Sequence, residues 1–139
     1  MRDWSAQRIA RASAAGLVRP ATTPGGPARA VVDTRALEPG DLFVGLPGER
    51  VDGGRFASDA LAAGAWGVLV GPGHDVAGDG AVLVAADPLA ALQRLATAWR
   101  RELRAAVIGV TGSVGKTSTK QLLAALIAPS RAVAANPAN

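Results

Sequence analysis

The stretch AAVIGVTGSVGKTSTKQLLAALIA, residues 105–128, decides how the chain is read. Ala106-Val107-Ile108-Gly109-Val110 is an unbroken apolar run, the pattern of a strand buried on both faces of a parallel sheet. Thr111 to Ser118 is polar and carries two glycines. Gln121 to Ala128 is an apolar helix that Pro129 stops. Arg131 to Ala135 reads as a following strand. Strand, loop, helix and strand in that order open an α/β unit.

The loop Thr111-Gly112-Ser113-Val114-Gly115-Lys116-Thr117-Ser118 carries the strongest chemical signal. A nucleotide triphosphate needs backbone that wraps it closely and presents N–H donors. Gly112 and Gly115 permit that wrap. A helix starting near Lys116 points its positive end at the phosphates. Lys116 supplies a point charge for the β- and γ-phosphates, and the Thr117 hydroxyl suits Mg²⁺. Lys116 and Thr117 are therefore the catalytic candidates, Thr117 the metal ligand, and ATP with Mg²⁺ the expected cofactors. The general phosphate-loop pattern places glycine six residues before the lysine, and here that position is Val110. The alternative is a plain strand-to-helix turn with a chance lysine.

Upstream, Ser5 caps a short helix that Gly16 closes, and Val18 to Pro27 is a loop rich in Pro, Thr and Gly. Ala30–Val32 and Leu42–Leu46 read as strands, with a turn at Pro39-Gly40-Asp41. A helix ends at Gly64 and is followed by strands at Trp66–Val70 and Ala81–Val84. The flexible loop Gly71–Gly80 holds His74, read as a solvated residue. Asp87 and Pro88 start the clearest helix, with Leu89, Leu92, Leu95, Ala96, Trp99 and Leu103 on one face. The fold class is α/β. A boundary near Arg104 separates an N-terminal α/β domain, residues 1–104, from the first strand–loop–helix of a phosphate-loop ATPase domain, residues 105–139.

Composition narrows the function classes. The chain has 139 residues, 49% of them hydrophobic, and no cysteine. That excludes a disulfide framework and a thiolate metal site. No apolar run reaches the roughly 20 residues of a bilayer span. The stretch MRDWSAQRIARASAAG lacks the apolar core of a secretory signal. A cytoplasmic protein without membrane insertion is expected. The net charge of +4 comes from dispersed arginines, and there is no tyrosine to build a base-stacking platform. No nucleic-acid partner is expected.

The variant glycine frame, TG[ST]xGKT after a strand, resembles the ATP loop of the Mur ligases. A second segment, DTRALEPGDLFVGLPGERVDGGRFASDALAAGAWGVLV from Asp33 to Val70, is similar to the N-terminal domain of that family. The resemblance implies that residues 1–104 hold the uridine diphosphate end of the substrate. Thr34 and Arg35 would touch the uridine or its phosphates. Gly48, Glu49, Arg50, Asp52 and Gly53 would line the same pocket. The family often has histidine after this Asp-Gly; here Gly54 stands there.

The resemblance implies ATP-dependent amide formation in peptidoglycan precursor synthesis, hence a part in cell-wall biogenesis, cell shape and cell division. The members that join D-alanyl-D-alanine to UDP-N-acetylmuramoyl-tripeptide fit Ser113 and the Thr119-Lys120 pair best. The expected partners are those two substrates, and the expected state is a monomer. The ending Asn136-Pro137-Ala138-Asn139 resembles an asparagine-rich segment that continues, in the family, to a metal-binding acid. Residues 1–139 alone are accordingly expected to lack ligase activity. Two alternatives remain: the ligase that adds the third amino acid, and a nucleotide-binding module without chemistry.

Overall fold

The structure is a computed structural model that describes Met1 and residues 3–136. It divides into two compact units, Met1–Arg104 and Ala105–Asn139. The first is an α/β layer structure. Its elements run α1 (Ala6–Ser13), β1 (Gly16–Arg19), β2 (Ala30–Val31), a 3-10 turn (Thr34–Ala36), β3 (Leu42–Val44), a second 3-10 turn (Gly53–Phe56), α2 (Ala57–Ala62), β4 (Gly67–Val70), β5 (Ala81–Val84) and α3 (Pro88–Glu102). The strand order is β1-β5-β4-β3-β2. β2 to β5 are parallel, and β1 lies antiparallel on the β5 edge.

Side chains alternate across this sheet, as the pleat requires. Leu42, Val44, Leu69, Ala81 and Leu83 face α1 and α3 together with Ile9, Ala91 and Leu95. Phe43, Val68, Val70 and Val82 face α2, with Ala57, Ala60 and Leu61. Burial on both faces explains why these strands are apolar at every position. α1 and α3 are also joined at one end. The Trp4 ring meets Trp99 edge-on at 5.5 Å, its Nε1 donates to Glu102 at 2.8 Å, and Arg8 pairs with Glu102.

Caps fall where the sequence places them. Ser5 accepts from the Arg8 N–H, and Asp87 from the Ala90 N–H with Pro88 in the first turn. Four expectations need correction. Ala14, at φ 56°, closes α1 in place of Gly16. Gly16–Arg19, read in part as loop, is strand β1, because β5 offers it an edge. Of the predicted α3 face, Leu95 is buried and Leu92 and Trp99 pack against the core, but Leu89, Ala96 and Leu103 are exposed, and Pro88 and Ala91 complete the buried side. The loop Gly71–Gly80 is tethered: Arg19 donates to the carbonyls of Val76 and Gly80, and the Ala77 N–H donates to Ser58.

In the second unit, α4 (Lys116–Ile127) forms. Neither Ala106–Val110 nor Arg131–Ala135 forms a strand. Val107 and Ile108 are 64% and 59% exposed. A parallel strand needs neighbours for its backbone groups, and among the described residues this segment has none.

Candidate functional site

In parallel α/β sheets ligands sit outside the carboxyl ends of the strands, where connecting loops converge. Here the loops leaving β2, β3 and β4 flank one another, since β2 pairs with β3 and β3 with β4. After β2, Asp33 caps the 3-10 turn by accepting from the Arg35 N–H. The Arg35 guanidinium folds back on the same carboxylate, with Nη2 to Oδ2 at 2.7 Å and Nε to Oδ1 at 3.0 Å. These bonds, the side-chain one above all, hold the Asp33 carboxyl down at about 2 and push the Arg35 guanidinium up. Arg35 is 88% exposed, so a planar donor fork stands in solvent at the strand end. Thr34, beside it, is exposed.

After β3 the chain makes a narrow loop. Pro47 bridges to Asp52, and the Gly48 N–H donates to the Val51 carbonyl at 3.2 Å. Gly48, Glu49 and Arg50 are exposed at its tip. Gly53 donates to the Leu46 carbonyl at 2.9 Å. Asp52 caps the next turn through the Gly54 N–H at 2.9 Å. After β4 comes His74, and the reading of it as a solvated residue is corrected here. Its side chain is only 18% exposed, and Nε2 lies 3.2 Å from Asp52 Oδ2. Sequence reasoning missed it because Asp52 is far away in the chain.

Thr34 and Arg35 thus lie at the end of β2 and Gly48 to Gly53 at the end of β3, on neighbouring strands. Two surface depressions, of about 440 and 280 Å³, run along α3 and include none of these residues.

The second unit carries the phosphate-loop candidates Thr111 to Ser118. Gly112 and Gly115 take φ of 144° and 79°, backbone that side chains rarely adopt. Gly115 is the residue before α4, and its carbonyl accepts from the Thr119 N–H at 2.9 Å. The first N–H groups of α4 therefore open toward the loop. Lys116 Nζ reaches back to the Gly112 carbonyl at 2.6 Å, which keeps the ammonium over the loop. Such an arrangement can hold an anion of phosphate type.

Comparison with known proteins adds five findings. Residues 31–128 match the model described as "Mur ligase family, catalytic domain". Over 96 residues the chain is 46% identical to a UDP-N-acetylmuramoyl-tripeptide--D-alanyl-D-alanine ligase of Synechocystis sp., covering 68% of this chain and 21% of the relative. Over 112 residues it is 46% identical to a UDP-N-acetylmuramoyl-L-alanyl-D-glutamate--2,6-diaminopimelate ligase of Synechococcus sp., covering 72% and 22%. Among solved structures, MurF from Acinetobacter baumannii superposes with a TM-score of 0.75 at 33% identity, covering 91% of this chain and 28% of that one. MurF ligase from Thermotoga maritima, solved in complex with ADP, superposes at 0.68 and 32% identity, covering 80% and 26%. The chain spans about a fifth of the length of these curated relatives.

Proposed function

Because the chain belongs to the Mur ligase family, we propose that it supplies the UDP-substrate and ATP-loop parts of a ligase that joins D-alanyl-D-alanine to UDP-N-acetylmuramoyl-tripeptide. The observation that carries this reading is the Gly112–Lys116 loop at the head of α4, with its positive-φ glycines and its lysine held over it. The T. maritima neighbour solved with ADP supports ATP as the nucleotide.

In this reading residues 1–104 are the substrate domain and residues 105–139 the start of the ATPase domain. Arg35, with Thr34, takes the uridine diphosphate, and the Gly48–Gly53 loop closes the pocket. Arg35 is suited to this because its fork matches phosphate oxygens. The loop amides and Lys116 hold the β- and γ-phosphates. The γ-phosphoryl group passes from ATP to the substrate carboxylate, giving ADP and an acyl phosphate. The amine then attacks the acyl carbon, and phosphate and a proton leave. The loop contributes by positioning and by offsetting the negative charge on the transferred group.

The Thr117 hydroxyl is the donor this chain offers to Mg²⁺. Among the described residues no group of three or more His, Cys, Asp or Glu could hold a metal. That donor set fits a Mg²⁺ held mainly by phosphate oxygens and water. When bound, Mg²⁺ neutralises charge on the phosphates. The protein acts as a cytoplasmic monomer in this account. Among the described residues no helix is long and apolar enough to cross a membrane.

A second reading has its own observation. The diaminopimelate-adding relative is as similar, at 46% identity. The test of the ATP site is Lys116→Ala in the protein extended to its relatives' length. Loss of ligation-coupled ATP turnover with an unchanged circular dichroism spectrum is expected. Turnover at the wild-type rate in the folded variant would overturn the assignment.

A further inference from the structure

His74 and Gly54 occupy one space. A Cβ at position 54 would run into the imidazole, with Nε2, Cδ2 and Cε1 as its nearest atoms. The ring is therefore admitted only because residue 54 is glycine. Asp52 divides its carboxylate between the two partners. Oδ1 accepts from the Gly54 N–H at 2.9 Å, and Oδ2 lies 3.2 Å from His74 Nε2. The loop that carries His74 is itself anchored. Arg19 Nε donates to the Gly80 carbonyl at 3.0 Å, the Ala77 N–H to Ser58 Oγ at 3.1 Å, and Val76 packs on the α2-side core. A half-buried imidazole on a tethered loop is a fixed point against which the Pro47–Asp52 loop can rest.

We propose that His74 is a positioning residue of the uridine diphosphate site: seated in the space left by Gly54 and paired with Asp52, it holds the Gly48–Gly53 loop in the shape that receives the substrate. The inference rests on the reading of that loop as substrate-binding. It joins the connection after β4 to the one after β3, on neighbouring strands. Asp52 is 46% exposed and bridges to Pro47 across the loop, so a second anchor on its carboxylate steadies the loop. With Nε2 fixed on the carboxylate, Nδ1 remains the ring's second polar atom.

The experiment titrates uridine diphosphate and UDP-N-acetylmuramoyl-tripeptide by calorimetry into the chain and four variants. His74→Ala should weaken binding roughly tenfold or more by loosening the loop. His74→Gln, which keeps a donor near Asp52, should recover most of that loss. Gly54→Ala should weaken binding as His74→Ala does, because its Cβ displaces the ring. Arg35→Ala should weaken binding independently. If His74→Ala does not fold, Gly54→Ala and His74→Gln decide the matter by the same criteria. Wild-type affinity in His74→Ala and Gly54→Ala, alongside weakened Arg35→Ala, would overturn the role of His74 and leave the site standing. A His74→Gln variant as weak as His74→Ala would overturn it too. No binding of either compound by the wild-type chain would overturn the substrate site and this inference with it.

Discussion

Arg35 grips the carboxylate of Asp33, two residues before it, through both Nη2 and Nε, at 2.7 Å and 3.0 Å. The pair is intraloop and exposed, so it sets the direction of a guanidinium at the end of β2. The Asp33 carboxyl lies below its ordinary value of 3.8, at about 2, chiefly because the Arg35 side chain donates to it. A carboxyl depressed on folding stabilises the fold above its unfolded value, and that contribution fades as pH falls through the folded value. In the folded protein Asp33 stays ionised, so the orientation of Arg35 should persist until pH falls toward about 2. An NMR titration should place the Asp33 midpoint near 2, returning toward 3.8 in Arg35→Ala. A wild-type midpoint at the ordinary value would contradict the pairing.

Asp41 has a structural task at the start of β3. It is 1% exposed and accepts from Arg29 Nε at 3.0 Å and from the Glu38 N–H at 2.9 Å. Together these fix the turn that leads into β3. Asp41→Ala leaves a backbone N–H and part of a guanidinium unpaired, a cost of about 2 kcal/mol after allowing for the exposure of Arg29. Urea denaturation should show that loss with an unchanged slope. A stability equal to wild type would mean that water replaces Asp41 without cost.

Much of the first unit was legible because its strands are short apolar runs between turn residues. Leu42–Val44, Gly67–Val70 and Ala81–Val84 fall inside the predicted strands. Caps at Ser5 and Asp87 were legible because a cap is a local device. β1 was not, since Gly16–Arg19 becomes a strand only through the neighbouring β5 edge. The buried face of α3 was legible in Leu92, Leu95 and Trp99, but not at its two ends, where Leu89 and Leu103 are exposed, nor at Ala91, whose small side chain is fully buried. His74 escaped for a similar reason: its partner Asp52 meets it only through the fold. The family was legible in the Gly112–Thr117 frame and in Asp33–Val70, and residues 31–128 match its model.

The segment Ala106–Val110 has strand composition without a ladder. Hydrogen exchange on the 139-residue chain should find Val107 to Val110 unprotected, in contrast to the amides of Val68 to Val70. Protection equal to that of β4 would show that the segment pairs in this chain.

Gly115 carries a positive φ of 79° immediately before α4. An alanine there costs about 1–2 kcal/mol in backbone strain. If the phosphates need this shape, Gly115→Ala should lower ATP affinity roughly 5- to 30-fold, with little change in the melting of the first unit. Equilibrium dialysis with labelled ATP reads this directly. Unchanged affinity would remove the glycine from the binding loop.

Trp4 closes the α1–α3 end of the core at 3% exposure. Trp4→Ala removes its ring contacts with Trp99 and Arg8 and should cost about 3 kcal/mol. Thermal melting followed by circular dichroism checks the loss, and a midpoint at the wild-type temperature would contradict the packing.

The claim that joins the two units in one activity is ligation of D-alanyl-D-alanine, and phosphate release tests it most directly. The protein extended to its relatives' length is given ATP, Mg²⁺ and one of two acceptor–amine pairs. The account predicts phosphate release with UDP-N-acetylmuramoyl-tripeptide and D-alanyl-D-alanine. Release only with the muramoyl dipeptide and diaminopimelate would contradict it.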